Sequence, residues 1–226
     1  MDALIRAHQF FVETQSVTLT TDRVPRRIGW RMGATAADVI TSVELLIGEY
    51  EGARRAIEET RDSFQEMAPG DVVARTGPPI RRVISAFKFA YFSVRAHQDA
   101  ACGVLYVLLG QQAGRYTSMS DALKKEDNPI RNLVTDRLPG YADWLRAWKD
   151  RRDQMKVGAQ FALLFDADNN LSIQFEYPCG ESHRMQVITQ AVTLSDVAEG
   201  LEFSTRLNGL VHELGGGQRI VGLGPI

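Results

Sequence analysis

Five cations crowd one short stretch of this chain: Arg146, Lys149, Arg151, Arg152 and Lys156, set against Asp150 and Asp153. At helical spacing Arg152 and Lys156 share a face, so the two could hold a phosphate while Asp153 cancels part of their field. A solvated helix end carries the same kind of run, because the helix dipole favours cations near the C-terminus. A second basic group, Arg23, Arg26, Arg27 and Arg31, has Trp30 within it. Arginine beside an aromatic ring can grip a nucleic-acid backbone and stack on a base. Docking of an irregular segment onto the rest of the molecule is the preferred expectation for this group. His97, with Arg95 and Asp99 close by, is a candidate base. The expectation preferred for it is a histidine hydrogen-bonded inside the core. Arg95 and Asp99 lie four residues apart and most simply form an intrahelical pair worth ~0.3–0.5 kcal/mol. If buried, they could instead tie two helices together.

Other chemistries find no footing. The histidines His8, His97, His183 and His212 are scattered, and no HExxH or CxxC spacing occurs. Asp166, Asp168 and Asn170 resemble half a calcium loop, but Leu171 replaces the turn glycine and Tyr177 the bidentate glutamate. Cys179, Ser182 and His183 are too close in sequence to meet as a catalytic set. No glycine-rich loop follows a strand. Neither a cofactor nor a metal is expected.

The stretch from Trp148 to Gly158 resembles the signature helix of the HEPN superfamily, helical-bundle proteins that often act as metal-independent ribonucleases. In that motif an arginine and a polar residue are followed, after three more residues, by a histidine. Arg152 falls on the arginine, Asp153 on the polar position and Val157 on the histidine. The run Ser93 to Ala101 is similar to the helix that packs beside the motif. The resemblance implies a bundle over about residues 38–214, a homodimer formed around the motif helix, and a phosphate-positioning role for Arg152. It also implies loss of the nuclease centre, since valine has no proton to give or take where 2′-hydroxyl activation needs a base.

These residues need helices to carry them. From Asp38 to Met67 apolar positions recur with helical period through Val39, Val43, Leu46, Ile47, Tyr50, Ile57 and Phe64, with charges on the other sides. Pro69-Gly70 stops that helix. A second runs from Pro79 to Gly110 through Ile80, Val83, Ile84, Phe87, Tyr91, Val94, Ala101, Leu105 and Leu108. At ~1.5 Å per residue each would be roughly 45 Å long, a length that suits an antiparallel bundle. A shorter helix is expected over Ala3–Thr14, an irregular segment over 16–36, and a polar stretch with a short turn of helix over Ser118–Leu133. Pro139 is expected to start a third substantial helix ending near Gly158, with Tyr141, Trp144 and Trp148 free to supply a dimer interface.

The period then shortens to two. Phe161, Leu163 and Phe165 alternate, as do Leu171, Ile173, Phe175 and Tyr177, on either side of an Asp/Asn-rich tip. That predicts a β-hairpin, with Met185–Gln190 as a third strand. A last helix is predicted over Val197–Leu214, capped by Gly215-Gly216-Gly217, ahead of a loose tail.

With 226 residues and a formal charge of −2, one domain is expected, with no global pull toward nucleic acid or anionic membrane. Its parts are a bundle over 38–158, a hairpin region over 159–190 and a helix over 194–214. No apolar run spans a bilayer, no signal peptide is visible, and two cysteines build no disulfide framework, so a cytoplasmic protein is expected. The fold class is mainly α: an antiparallel helical bundle with a small antiparallel hairpin or three-stranded sheet near the C-terminus. The functional expectation is a non-catalytic HEPN-like homodimer that binds RNA or a protein partner. The alternatives are a metal-independent ribonuclease of a toxin or defence system using Arg152, Lys156 and His97, and a plain scaffold.

Overall fold

The computed structural model describes residues 1–15, 24–58, 78–111, 118–156, 160–165, 171–179 and 186–215. Among these residues seven helices and three strands follow in the order α1 (Asp2–Gln15), α2 (Arg26–Glu58), α3 (Pro78–Leu108), α4 (Met119–Lys124), α5 (Pro129–Arg137), α6 (Tyr141–Lys156), β1 (Gln160–Phe165), β2 (Leu171–Cys179), β3 (Gln186–Thr193) and α7 (Leu194–Leu214). The expected class, a mainly helical bundle with a small antiparallel sheet near the C-terminus, is what forms.

Helices α2 and α3 run antiparallel along their lengths. Ile28 sits beside Gly103, Thr35 beside His97 and Glu49 beside Arg82, so one chain number rises as the other falls. The stripe that buries α2 is Met32, Ala36, Val39, Val43, Leu46, Tyr50 and Ala53. It starts well before Asp38, which corrects the expectation of an irregular 16–36. Pro25 precedes the first turn and accepts from the Ile28 and Gly29 amides, and three arginines, Arg26, Arg27 and Arg31, interrupt the stripe of Ile28, Met32 and Ala36.

Helix α3 is the hub. It is buried from Ile80 to Leu108 and meets α2 on one side, α7 on another and α4 to α6 beyond. α1 closes the bundle against α7 through Leu4, Ala7 and Phe11. One core cluster runs through all of these, so the bundle is wider than residues 38–158.

The polar stretch expected to hold a short turn of helix carries two helices, α4 and α5. Ser118 caps α4 by accepting from the Asp121 amide, and Asn128 caps α5, where Pro129 takes the first position. Local side-chain capping rather than an apolar stripe starts these short helices. α6 begins at Tyr141, after Gly140 turns the chain with φ +82°.

The sheet has the order β1-β2-β3, antiparallel throughout, with Phe161 opposite Phe175, Leu163 opposite Ile173 and Ile173 opposite Val192. Ile173 and Val192 are buried beside Leu46, Val83 and Phe87, so the sheet packs on the α2–α3 pair. At the end of β3, Thr193 and Asp196 form a reciprocal capping box that starts α7. Gly215 takes the C-cap of α7, as expected, its amide donating to the Val211 carbonyl at 3.0 Å. No helix among the described residues is long and apolar enough to cross a membrane.

Candidate anion-binding site at the end of α6

The apolar face of α6 places its charges. Tyr141, Trp144, Leu145, Trp148 and Met155 are buried against α3 and α7. Trp148 lies flat on Tyr91 with ring centroids 3.6 Å apart and 2° between planes, and its indole N–H donates to the Tyr91 carbonyl at 3.2 Å. Trp144 packs on Phe203 and on Trp148. These rings are spent inside the chain's own core, which overturns their expected use as a dimer interface. They fill a helix face that the chain itself covers.

With that face fixed, the five candidate cations divide. Lys149, Arg152 and Lys156 converge on Asp153, at 3.0, 2.6 and 3.8 Å. Partial burial pushes the Asp153 carboxyl up, but Arg152 and Lys149 outweigh it and hold the group below its ordinary value. The Lys156 ammonium also stands 5.8 Å over the Phe92 ring of α3. The other two leave the group. Arg151 turns to α7 and pairs with Asp196 at 2.6 Å, and Arg146 pairs back to Asp143 at 3.5 Å. They face other sides of the helix from Arg152.

The charge of Arg152 is also felt at Asp99 of α3. The Asp99 carboxyl is raised by burial, and this is opposed by Arg95, by the Met119 amide, by Arg152 and by Arg31. Arg95 and Asp99 make the expected pair at 2.8 Å, but the arginine is only 3% exposed. Asp99 also accepts from the Met119 amide at 2.8 Å, so this pair ties α3 to the start of α4. The Arg95 Nε is enclosed with no hydrogen-bond partner among the described residues. Arg31 comes from the first turns of α2. At the end of α6, Lys149, Arg152 and Lys156 outnumber the carboxylate they share, Asp153.

His97 does not join them. Two residues from Arg95 on α3, it points roughly 200° away around the helix. It is fully buried, 3.3 Å from Thr35 Oγ1 and 2.9 Å from Asn208 Oδ1, with Phe11 edge-on. Burial lowers its pKa to about 4, against smaller opposing contributions from Asn208 and Met32. It is the core histidine expected, and a poor surrogate base, since no substrate reaches either nitrogen.

The other basic group is helical, not a loop packed down. Arg26 and Arg27 are exposed in the first turn of α2, and the Trp30 ring is 71% exposed. Arg23, Val157, His183, the tip 166–170, the glycines Gly216 and Gly217 and the end of the helix expected to reach Met67 lie outside the described residues. Among the described residues no group of three or more His, Cys, Asp or Glu side chains could hold a metal.

Spacing pairs Arg152 with Lys156, and the same rule could have placed Lys149, four residues before Asp153, with them on that carboxylate. Comparison with known protein families, with curated proteins and with solved structures finds no match to this chain.

Proposed function

We propose that this chain is a non-catalytic, HEPN-like binding protein that holds RNA by its phosphates at the C-terminal end of α6. One observation carries the reading: Lys149, Arg152 and Lys156 gather on a single carboxylate, Asp153, so that cations are in excess there. Guanidinium pairs suit phosphate oxygens, and such a group binds a polyanion with strong salt dependence. His97, the candidate base, is sealed in the core, which supports binding without cleavage. A cytoplasmic setting belongs to the same proposal. The test is RNA affinity measured against salt concentration, with Arg152→Ala expected to weaken binding and flatten the salt slope by about one. A slope and affinity unchanged in the variant would remove the reading.

A protein ligand, including a second copy of this chain, is a second reading favoured by a different surface. Leu45 and Phe89 are exposed along a shallow groove of about 550 Å³ between α2 and α3, beside Arg81 and Arg82. Sedimentation of wild type and Phe89→Asp tests it, self-association lost in the variant being the supporting result.

A further inference from the structure

We infer that the outer face of α2 pairs two copies of this chain, antiparallel about Thr41. This rests on the second reading above, in which Leu45 meets a protein ligand, and it names that ligand and its register. α2 buries one stripe, running from Met32 to Ala53. At about 100° per residue a second stripe lies on the opposite side, centred on Thr41. Ala37 and Leu45 stand four residues to either side of it, Ala34 and Gly48 seven, Trp30 and Gly52 eleven. Trp30, Ala37, Thr41, Leu45 and Gly48 are exposed, the other two are half-covered, and none is charged. Glu44, at the edge of the face, reaches back to His8 of α1 at 3.9 Å. On the other edge Phe89 of α3 shares the groove with Leu45.

The packing inside the chain does not ask for these residue types. A Cβ added at Gly48 or Gly52 meets no described atom within 4 Å, and glycine inside an exposed helix is costly relative to alanine. Trp30, 71% exposed, forfeits the burial of its indole. A second copy laid antiparallel on this face answers both. Trp30 then covers Gly52 of the second copy, Leu45 covers Ala37, Ala34 meets Gly48, and Thr41 sits on the two-fold axis. Each large side chain falls on a small one, and every contact is made twice, as a two-fold interface requires. A face that matches itself when reversed selects a second copy over an unrelated protein. At the ends Arg27 comes level with Arg55 of the second copy, a repulsion that salt screens. Pairing should therefore tighten as salt rises, the opposite of RNA binding.

The experiment sediments the full chain over a range of protein and salt concentrations, as wild type, Gly48→Leu and Phe89→Asp, with indole emission followed alongside. We expect wild-type dimers that tighten with salt. Emission should move to the blue with concentration as Trp30 leaves water, Trp144 and Trp148 being buried already. Gly48→Leu should keep or raise the monomer's thermal midpoint and weaken the dimer roughly tenfold or more. Register is read by oxidative cross-linking in a Cys179→Ser background, since Cys102 is buried. Thr41→Cys should cross-link to itself, and Ala37→Cys only when mixed with Leu45→Cys. A wild-type monomer at every concentration would overturn the inference and leave the groove to a different protein. Dimers that survive Gly48→Leu and are lost in Phe89→Asp would overturn the α2 pairing while keeping the groove reading. Dimers that survive both variants would remove both.

Discussion

Trp148 is sandwiched between Tyr91, 3.6 Å from its ring, and Gly200, where an added Cβ would come within 2.7 Å of the indole edge. This contact sets α6 against α3 and α7 at once. One turn further along, it fixes where Arg152 stands. The indole cannot retreat, because Tyr91 covers its other face.

Gly200→Ala tests that sandwich. Alanine favours a helix over glycine by up to ~1 kcal/mol, so an open site would gain stability. Here the crowding should win, with a net loss of ~1–3 kcal/mol and a thermal midpoint lower by several degrees. Calorimetry on the variant decides it. An unchanged or raised midpoint would show that α7 can shift freely.

The sign of the electrostatics at Asp153 can be tested with two variants. Asp153→Asn removes the carboxylate that Lys149, Arg152 and Lys156 share, so RNA affinity should rise severalfold. Arg152→Ala should lower it. As Asp153 is half-exposed, its loss should change stability by less than about 1 kcal/mol. Affinities moving in the same direction would mean the group acts through the fold and not through its charge.

Arg151 separates structure from binding. It pairs with Asp196, the residue that also caps α7. Arg151→Gln should cost up to about 1 kcal/mol in stability, partial exposure limiting the effect, and leave RNA affinity nearly unchanged. An affinity loss equal to that of Arg152→Ala would show that the whole basic run binds as one.

His97 predicts a pH dependence. Its folded pKa, about 4, lies below the unfolded value, so the fold favours the neutral ring. The stability this contributes is complete above about pH 6.5 and falls as pH drops toward 4, by on the order of 3 kcal/mol. Thermal midpoints measured from pH 7 to 4.5 should fall more steeply in wild type than in His97→Gln. Parallel curves would show that the ring is not sealed from protons.

The helices that pack by a single apolar stripe were legible in the sequence, as with α3 and most of α2. So was the change of period that marks the sheet, since Ile173 and Phe175 alternate cleanly with polar neighbours. The start of α2 was not, because Arg26, Arg27 and Arg31 interrupt the stripe and only packing on α3 shows that it continues. α4 and α5 begin at caps, Ser118 and Asn128, whose acceptors are local and leave no periodic trace. Arg152 and Lys156 could be paired from spacing alone. Which of five cations would turn elsewhere could not, because Asp196 and Asp143 compete for them across the helix and along it.

The central claim is RNA held without cleavage through Arg152, and one measurement reaches it most directly. Purified protein and Arg152→Ala are incubated with mixed cellular RNA in excess EDTA, the bound fraction is captured, and the RNA is run on a denaturing gel. We predict intact RNA in both samples, with far more of it bound by the wild type. Cleavage by the wild type that disappears in the variant, or equal binding by the two proteins, would contradict the claim.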